Sequence, residues 1–206
     1  MSNPTGIFGL KPVRHISGAP YNGATVKCYI SASYATALFV GDPVLLDTTL
    51  ADKDTTGKHL TIIKSAGTAG ALIRGVIVSF EPLVTDLTKV YNPASTERWA
   101  NVCMDPEVVF QIRGDGYATT TYETKVLPGQ NAVCIQHAAG STYTGLSGMA
   151  LDEGTTTHPD TTQNFTLHIL GLADEEDNAL GPNALYEVLL NTSSNATGRF
   201  LGVTAA

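Results

Sequence analysis

The sequence is poor in charge, and what charge it has is mostly acidic. Charged residues make up 15% of the 206 residues, whereas about 25% is usual for a soluble domain. The 12 basic and 19 acidic side chains give a net charge of −7. Because a protein that neutralises phosphates needs a basic surface, this balance indicates a chain that does not bind nucleic acid.

Long apolar runs and paired cysteines are also missing. No stretch of about 18 apolar residues occurs, and the N-terminus has no basic region followed by an apolar one, which predicts neither a membrane span nor an export signal. Cys28, Cys103 and Cys134 are odd in number and far apart, so they predict buried thiols rather than a disulfide framework or a paired metal site. We expect a protein that is made in the cytoplasm and stays out of membranes.

Short strands are what the sequence does contain. In residues 25–30, Val26, Cys28 and Ile30 alternate with more polar side chains, which is the period of a half-buried strand. Similar stretches follow at 37–40, 44–46, 60–64, 73–80, 98–104, 108–113, 131–136, 149–151, 165–170 and 185–190. Helical periodicity is scarce, and the connecting segments are long and rich in Thr, Gly and Ser. The sequence therefore predicts an all-β fold with little helix, a compact β-barrel or sandwich with long loops.

Three regions are expected along the chain. Residues 1–24 are dense in Pro and Gly, which excludes a helix and predicts an extended N-terminal arm. Its apolar side chains predict that the arm docks on its own domain or on a neighbour, and we expect a chain lacking residues 1–22 to stay folded. Residues 25–190 are predicted to form the barrel or sandwich domain, and 191–206 a C-terminal arm or edge segment.

Catalytic and metal-binding motifs are not found. The histidines are scattered, and no phosphate loop, dinucleotide fingerprint or nucleophile elbow is complete. The acidic run 174–177 lacks the ligand spacing of a calcium loop, so a solvated loop is favoured over a cation site. Arg113, Gly114 and Asp115 spell the tripeptide of integrin ligands, but they stand where a strand is predicted to end in a turn. We expect no enzyme, no catalytic residue, no cofactor and no metal.

Several segments together resemble a family of tailed-bacteriophage virion proteins, that of capsid decoration (cement) proteins. The resemblance begins with residues 9–15 (GLKPVRH) and 18–24 (GAPYNGA). It continues through 39–44 (FVGDPV), 75–82 (GVIVSFEP), 91–94 (YNPA), 169–172 (ILGL), 177–178 (DN) and 181–184 (GPNA), and so covers about residues 9–190. These motifs are structural rather than catalytic.

The resemblance implies a protein that binds the outer surface of the expanded capsid and stabilises contacts between major capsid protein subunits. It implies a location on the capsid exterior of the virion after synthesis in the host cytoplasm, and a homo-oligomer, with a trimer favoured because shells have local threefold positions. Another virion component, a minor head or head-fibre base protein, is the main alternative. A carbohydrate- or host-binding module is a further one, which two or three exposed aromatic side chains on one face would favour.

Aromatic and large apolar side chains outside the predicted strand interiors are the candidates for the interface. These candidates are Phe8, Leu10, Val13 and Tyr21 in the predicted arm, with Tyr91 and Trp99 near the long loop that follows residue 80. For each of them the alternative is packing on its own domain.

Overall fold

The structure is a computed structural model that describes residues 3–48, 54, 56–116, 128–154 and 157–192. These residues contain no helix, and they form twelve strands, which confirms the predicted all-β class. The strands are β1 (Lys11–His15), β2 (Val26–Ile30), β3 (Pro43–Leu46), β4 (Leu60–Lys64), β5 (Gly75–Phe80), β6 (Arg98–Cys103), β7 (Val108–Arg113), β8 (Asn131–Ala132), β9 (Cys134–Gln136), β10 (Met149–Leu151), β11 (Leu167–Leu172) and β12 (Leu185–Leu190).

Five of the strands form a closed barrel in the order β2-β4-β3-β5-β6. Neighbouring strands are antiparallel except for β2 and β4, which run parallel, with Cys28 opposite Leu60. Because successive side chains of a strand point to opposite faces, alternate residues fill the barrel. Its interior consists of Cys28, Ile30, Leu38, Val44, Ile62, Ile77, Ala100 and Val102.

Five other strands form an antiparallel sheet in the order β1-β7-β12-β11-β8, and β9 pairs with β10 in a separate ribbon. The sheet covers a second, larger cluster of buried side chains, to which β5 of the barrel also contributes. Ile77 points into the barrel, whereas Val76 belongs to the second cluster and Val78 packs against it. Strand β5 is therefore a wall that both clusters share, and barrel and sheet make one folded unit.

The N-terminal segment, residues 3–24, packs against this unit, and residues 11–15 within it form a strand of the five-stranded sheet. Strand β1 pairs with β7, with Lys11 opposite Gln111 and a bulge after Pro12. Leu10 is only 1% exposed, and its amide donates to the Gly41 carbonyl at 3.0 Å. Proline is tolerated in edge strands and at bulges. The prolines and glycines of this segment therefore exclude a helix but are compatible with strand β1.

Both edges of the five-stranded sheet are partly covered by the chain itself. Next to β1, the Tyr21 amide donates to the Val13 carbonyl at 3.2 Å, and Arg14 forms a bridge with Pro20. Next to β8, Asn131 and Asp160 exchange two backbone hydrogen bonds. Neighbouring chains therefore find few unpaired backbone groups at these edges.

Two predicted strands do not form single strands in the structure, and others differ only in their bounds. Residues 37–40 form only isolated bridges, from Leu38 to Asn92 and from Val40 to Leu146. The predicted strand 131–136 is divided at Val133 into β8 and β9, which belong to different sheets. Of the predicted C-terminal segment, residues 191 and 192 are described and buried, and 193–206 lie outside the described residues.

Candidate interaction surface

An apolar groove lies where the N-terminal segment meets the barrel and the sheet. Its volume is about 580 Å³, within the range of about 300–1,000 Å³ typical of ligand pockets. Its apolar lining includes Phe8, Leu10, Tyr21, Val78, Leu146 and Leu185. The charged residues of the lining are Lys11, Arg113 and Glu175, so two cations face one carboxylate.

Arg113 is the most buried of the charged groups in the groove, with 8% of its surface exposed. Its Nη1 donates to the Asn183 carbonyl at 3.0 Å, and its guanidinium lies 6.0 Å from the centre of the Phe8 ring. No acceptor among the described residues takes the hydrogen of its Nε. This Nε is shielded from solvent, so only the outer part of the guanidinium contributes positive charge to the groove lining.

A second feature is the loop of residues 81–97, which Arg98 holds from inside the barrel wall. Arg98 is 6% exposed and donates to three backbone carbonyls. The acceptors are Glu81 at 2.7 Å, Tyr91 at 2.6 Å and Lys89 at 3.0 Å. One buried side chain therefore joins the start of this loop, at Glu81, to Lys89 and Tyr91 in its second half.

The tip of this loop exposes apolar side chains to solvent. Val84 is 94% exposed and Leu87 is 78% exposed. Between them stands Asp86, whose Oδ1 accepts hydrogen bonds from the Thr88 hydroxyl at 2.6 Å and the Thr88 amide at 3.0 Å. These bonds lower the pKa of Asp86, so its carboxylate is charged at neutral pH. The tip is a small apolar surface with a negative charge at its centre.

A third exposed apolar feature lies on the neighbouring loop, residues 137–148. Tyr143 at its turn is 92% exposed. The loop is anchored by the Val40 amide, which donates to the Gly145 carbonyl at 2.9 Å. Gly145 also approaches the Val90 carbonyl so closely that a Cβ there would lie 2.6 Å from the oxygen. The two loops are therefore packed side by side.

Trp99 forms the centre of a cluster on the outer wall of the barrel. His59 meets its ring edge-on at 4.7 Å, Tyr29 lies at 5.2 Å, and the Lys27 ammonium sits 4.6 Å from the ring centre. Lys27 also forms an ion pair with Glu81 at 2.7 Å. Because three neighbours already contact the indole, it offers little free ring face for stacking on a sugar.

The structure distributes the predicted interface residues over four places. Phe8, Leu10 and Tyr21 line the groove, although Leu10 shows the alternative placement, packing in its own core. Val13 lies half-buried in β1. Tyr91 stacks on Phe39 at 5.1 Å, and Trp99 belongs to the cluster just described.

Sequence reasoning missed the two arginines that shape these surfaces. Arg98 could have been found from the alternation of residues in β6, because it lies on the same inward face as Ala100 and Val102. A charge on an apolar strand face predicts a buried hydrogen-bonding role. For Arg113 no comparable local signal exists, since its role depends on the distant Phe8 and Asn183.

The integrin-like tripeptide is not presented to solvent. Arg113 is 8% and Asp115 is 3% exposed, and a Cβ on Gly114 would lie 2.1 Å from the carboxylate carbon of Glu153. The adhesive reading of this tripeptide is therefore incompatible with the fold.

Glu153 is a fully buried carboxyl behind the groove. Its Oε2 accepts the amides of Gly116 at 3.0 Å and Asn183 at 3.2 Å, and its Oε1 accepts the Tyr186 hydroxyl at 3.1 Å. Burial raises the pKa of Glu153 to about 7, and the nearby Asp115 raises it further while the hydrogen bonds oppose the rise. The group therefore titrates near neutral pH inside the sheet's cluster.

Within the residues that the structure describes, no three His, Cys, Asp or Glu side chains are grouped to hold a metal ion. The acidic run 174–177 is exposed, and its Glu175 lines the groove. No helix in the described part of the chain has the length and apolarity needed to cross a membrane.

No protein-family model matches the chain, and no curated protein or solved structure matches it either. Function is therefore inferred from the residues and their geometry.

Proposed function

We propose that this chain is a structural protein of a tailed-bacteriophage particle, a decoration protein that binds the outside of the expanded capsid. Its partner is the major capsid protein, and it acts without catalysis, cofactor or nucleic acid. The resemblance of residues 9–190 to virion proteins is the first support for this role. The acidic composition also supports it, since a net charge of −7 disfavours adhesion to DNA.

The observation that carries the proposal is the exposure of large apolar side chains on ordered loops. Val84, Leu87 and Tyr143 are 94%, 78% and 92% exposed, on loops fixed by Arg98 and by backbone bonds to Val40. Aromatic and aliphatic side chains held rigidly in solvent favour protein contacts, because little conformational entropy is lost when they are covered. A cement protein needs such exposed apolar side chains for two kinds of contact, with the shell and between its own copies.

We further propose that the protein acts as a homo-oligomer, a trimer in the favoured form, located on the virion exterior. Many weak contacts on one shell then act together. Another virion position, such as a minor head or head-fibre base protein, uses the same features and remains the alternative. A carbohydrate-binding module is disfavoured by the crowded environment of Trp99.

Co-sedimentation with purified capsid shells tests the proposal. Wild-type protein is mixed with expanded and with unexpanded shells of the capsid protein from the same phage. We expect saturable binding to expanded shells, at a ratio set by the shell's symmetry, and weaker binding to unexpanded ones. Absence of saturable binding to expanded shells would move the assignment to another virion component.

A matched pair of variants locates the contact. Tyr143→Ser removes an exposed side chain and should weaken shell binding about tenfold or more without loss of stability. Lys58→Ser changes another exposed residue, on the segment before β4, and should leave binding unchanged. Equal binding of wild type and Tyr143→Ser would show that the 137–148 loop does not face the shell.

A further inference from the structure

The groove and the tip of the 81–97 loop have complementary chemistry. The groove has apolar walls, two cations, Lys11 and Arg113, and one carboxylate, Glu175. Lys11 is exposed, and the outer part of the Arg113 guanidinium lines the groove, so the lining has a net positive charge. A ligand that fits the groove therefore combines apolar side chains with one negative charge.

The loop tip has this combination. Val84 and Leu87 are the most exposed aliphatic side chains among the described residues, and Asp86 lies between them. The Oδ1 of Asp86 is used by Thr88, while its Oδ2 has only a long contact to Lys89 at 3.6 Å. A carboxylate has room for about four hydrogen bonds, so Asp86 retains capacity for a guanidinium.

We propose that the tip of the 81–97 loop of one copy inserts into the groove of a second copy. Val84 and Leu87 contact the apolar walls, and the Asp86 carboxylate pairs with the guanidinium of Arg113 and the ammonium of Lys11. This contact deepens the homo-oligomer of the proposed function, on which it rests, by naming its two surfaces.

The chain's own C-terminal residues fit the groove less well. The sequence 193–206 contains apolar residues, but its one charged side chain is Arg199 and it has no Asp or Glu. Arg199 next to Lys11 and Arg113 is unfavourable, so side-chain charge favours the loop tip over this segment.

The contact joins two different surfaces and is therefore head-to-tail. Such contacts produce a closed ring when the rotation closes and an open filament when it does not. A ring of three copies is the form that agrees with the proposed trimer. Each copy then contributes one loop and one groove, and Tyr143 stays available for the shell.

Sedimentation equilibrium of the full chain without shells tests the contact. We expect wild type to self-associate, and Leu87→Asp and Lys11→Glu each to raise the dissociation constant about tenfold or more. Leu87 is 78% exposed and Lys11 is exposed, so both variants should fold.

Two control variants match these changes in chemistry. Leu72→Asp alters an aliphatic residue that is 41% exposed. The amide of the adjacent Ile73 donates to the Thr192 carbonyl, just beyond the C-terminal end of β12. The groove residue Leu185 is at the other end of β12. Lys58→Glu reverses a charge on the exposed segment before β4. Both controls should associate as wild type does.

Mixing the two defective variants gives a sharper readout. The Leu87→Asp copy keeps an intact groove and the Lys11→Glu copy keeps an intact loop, so the mixture should form one-to-one dimers that neither variant forms alone. A monomeric wild type, or an oligomer that both variants leave unchanged, would overturn the contact. Because shells are absent, either result leaves the co-sedimentation test of the proposed function to be judged separately.

Discussion

The N-terminal segment and the 81–97 loop are alike in sequence but opposite in structure. Both are interrupted by prolines and contain apolar side chains between them. In the N-terminal segment Leu10 is 1% exposed, whereas in the loop Leu87 is 78% exposed. The first segment is fixed by the backbone ladder between β1 and β7. The second is fixed by the Arg98 side chain and, near its C-terminal end only, by backbone bonds of Asn92 and Ser95.

This difference indicates that the extent of backbone pairing, rather than composition, decides which part of an irregular segment buries its apolar side chains. Strand β7 offers the N-terminal segment an edge, and pairing brings Leu10 into the sheet's cluster. The loop starts and ends at antiparallel neighbours, β5 and β6, whose other edges are already paired in the barrel. Its carbonyls are satisfied by Arg98, and its tip stays in solvent.

Deleting residues 1–22 is the change with the largest expected effect on stability, because it removes the segment that pairs with β7. The loss of Leu10 and of the β1 ladder should lower the free energy of unfolding by about 5 kcal/mol or more, which is close to the whole stability of a typical domain. Thermal unfolding followed by circular dichroism should then lose its cooperative transition. A chain with Val84 and Leu87 both changed to Ser is the control, and at concentrations where wild type is monomeric it should melt as wild type does. A cooperative melt of the truncated chain would restore the arm predicted from the sequence.

The second change removes the clamp of the loop. Arg98→Met keeps the apolar stem but leaves three carbonyls without their donor, which should cost about 3–5 kcal/mol. Hydrogen exchange should accelerate at the amides of residues 81–97 more than in the five-stranded sheet. Arg98→Lys retains a charged donor and should lose less. Unchanged exchange in Arg98→Met would mean that the loop is held by other contacts.

The third prediction concerns the five-stranded sheet, to which the N-terminal segment is paired, and the quantity changed is the pH. Glu153 has a pKa of about 7 in the fold against 4.5 for the ordinary group, so between these values the folded state binds a proton that the unfolded state has released. Stability should therefore be fullest below about pH 4.5 and fall by up to about 3 kcal/mol as the pH rises to 7.

Glu153→Gln isolates this contribution. The amide oxygen can accept from Gly116 and Asn183, and the amide nitrogen can donate to the Tyr186 hydroxyl. Denaturant titrations should show the variant to be more stable than wild type near pH 8 and similar to it near pH 4.5. A variant whose stability has the same pH slope as wild type would show that Glu153 is not the titrating group.

The smallest expected effect lies at the base of the loop. Lys27→Ala removes the ion pair with Glu81 and the cation over Trp99, both partly in solvent, and should cost less than about 1 kcal/mol. Part of this loss should disappear at high salt, because exposed charges are screened. A loss comparable with that of Arg98→Met would show that the surface cluster also holds the loop.

Several strands that are short apolar runs could be predicted from the sequence. The bounds of β4, β7, β10 and β12 agree with the predicted residues 60–64, 108–113, 149–151 and 185–190. Strand β1 was missed because Pro12 and the surrounding glycines conceal an edge strand whose pairing is with residues about 100 positions away. The parallel pair β2 and β4 that closes the barrel also depends on tertiary packing and has no local signal.

The candidate surface was predictable only in part. Aromatic character selected Phe8 and Tyr21, which do line the groove. It did not select Val84 or Leu87, because exposure cannot be read from residue type, nor Arg113, whose partners come from distant segments. Sequence therefore indicates which side chains can form an interface, while the fold decides which of them solvent reaches.

The wall shared by the two clusters has a consequence for how the protein unfolds. Val76 and Ile77 are adjacent in β5 but belong to different clusters, so neither cluster can lose its packing without disturbing the other. Partial melting of one half would leave one face of β5 bare, which makes such an intermediate costly. We expect barrel and sheet to come apart in a single step, with a slow unfolding rate and little sampling of half-open states. Because of strand β5, we expect this chain to unfold as slowly as a domain with far fewer long loops.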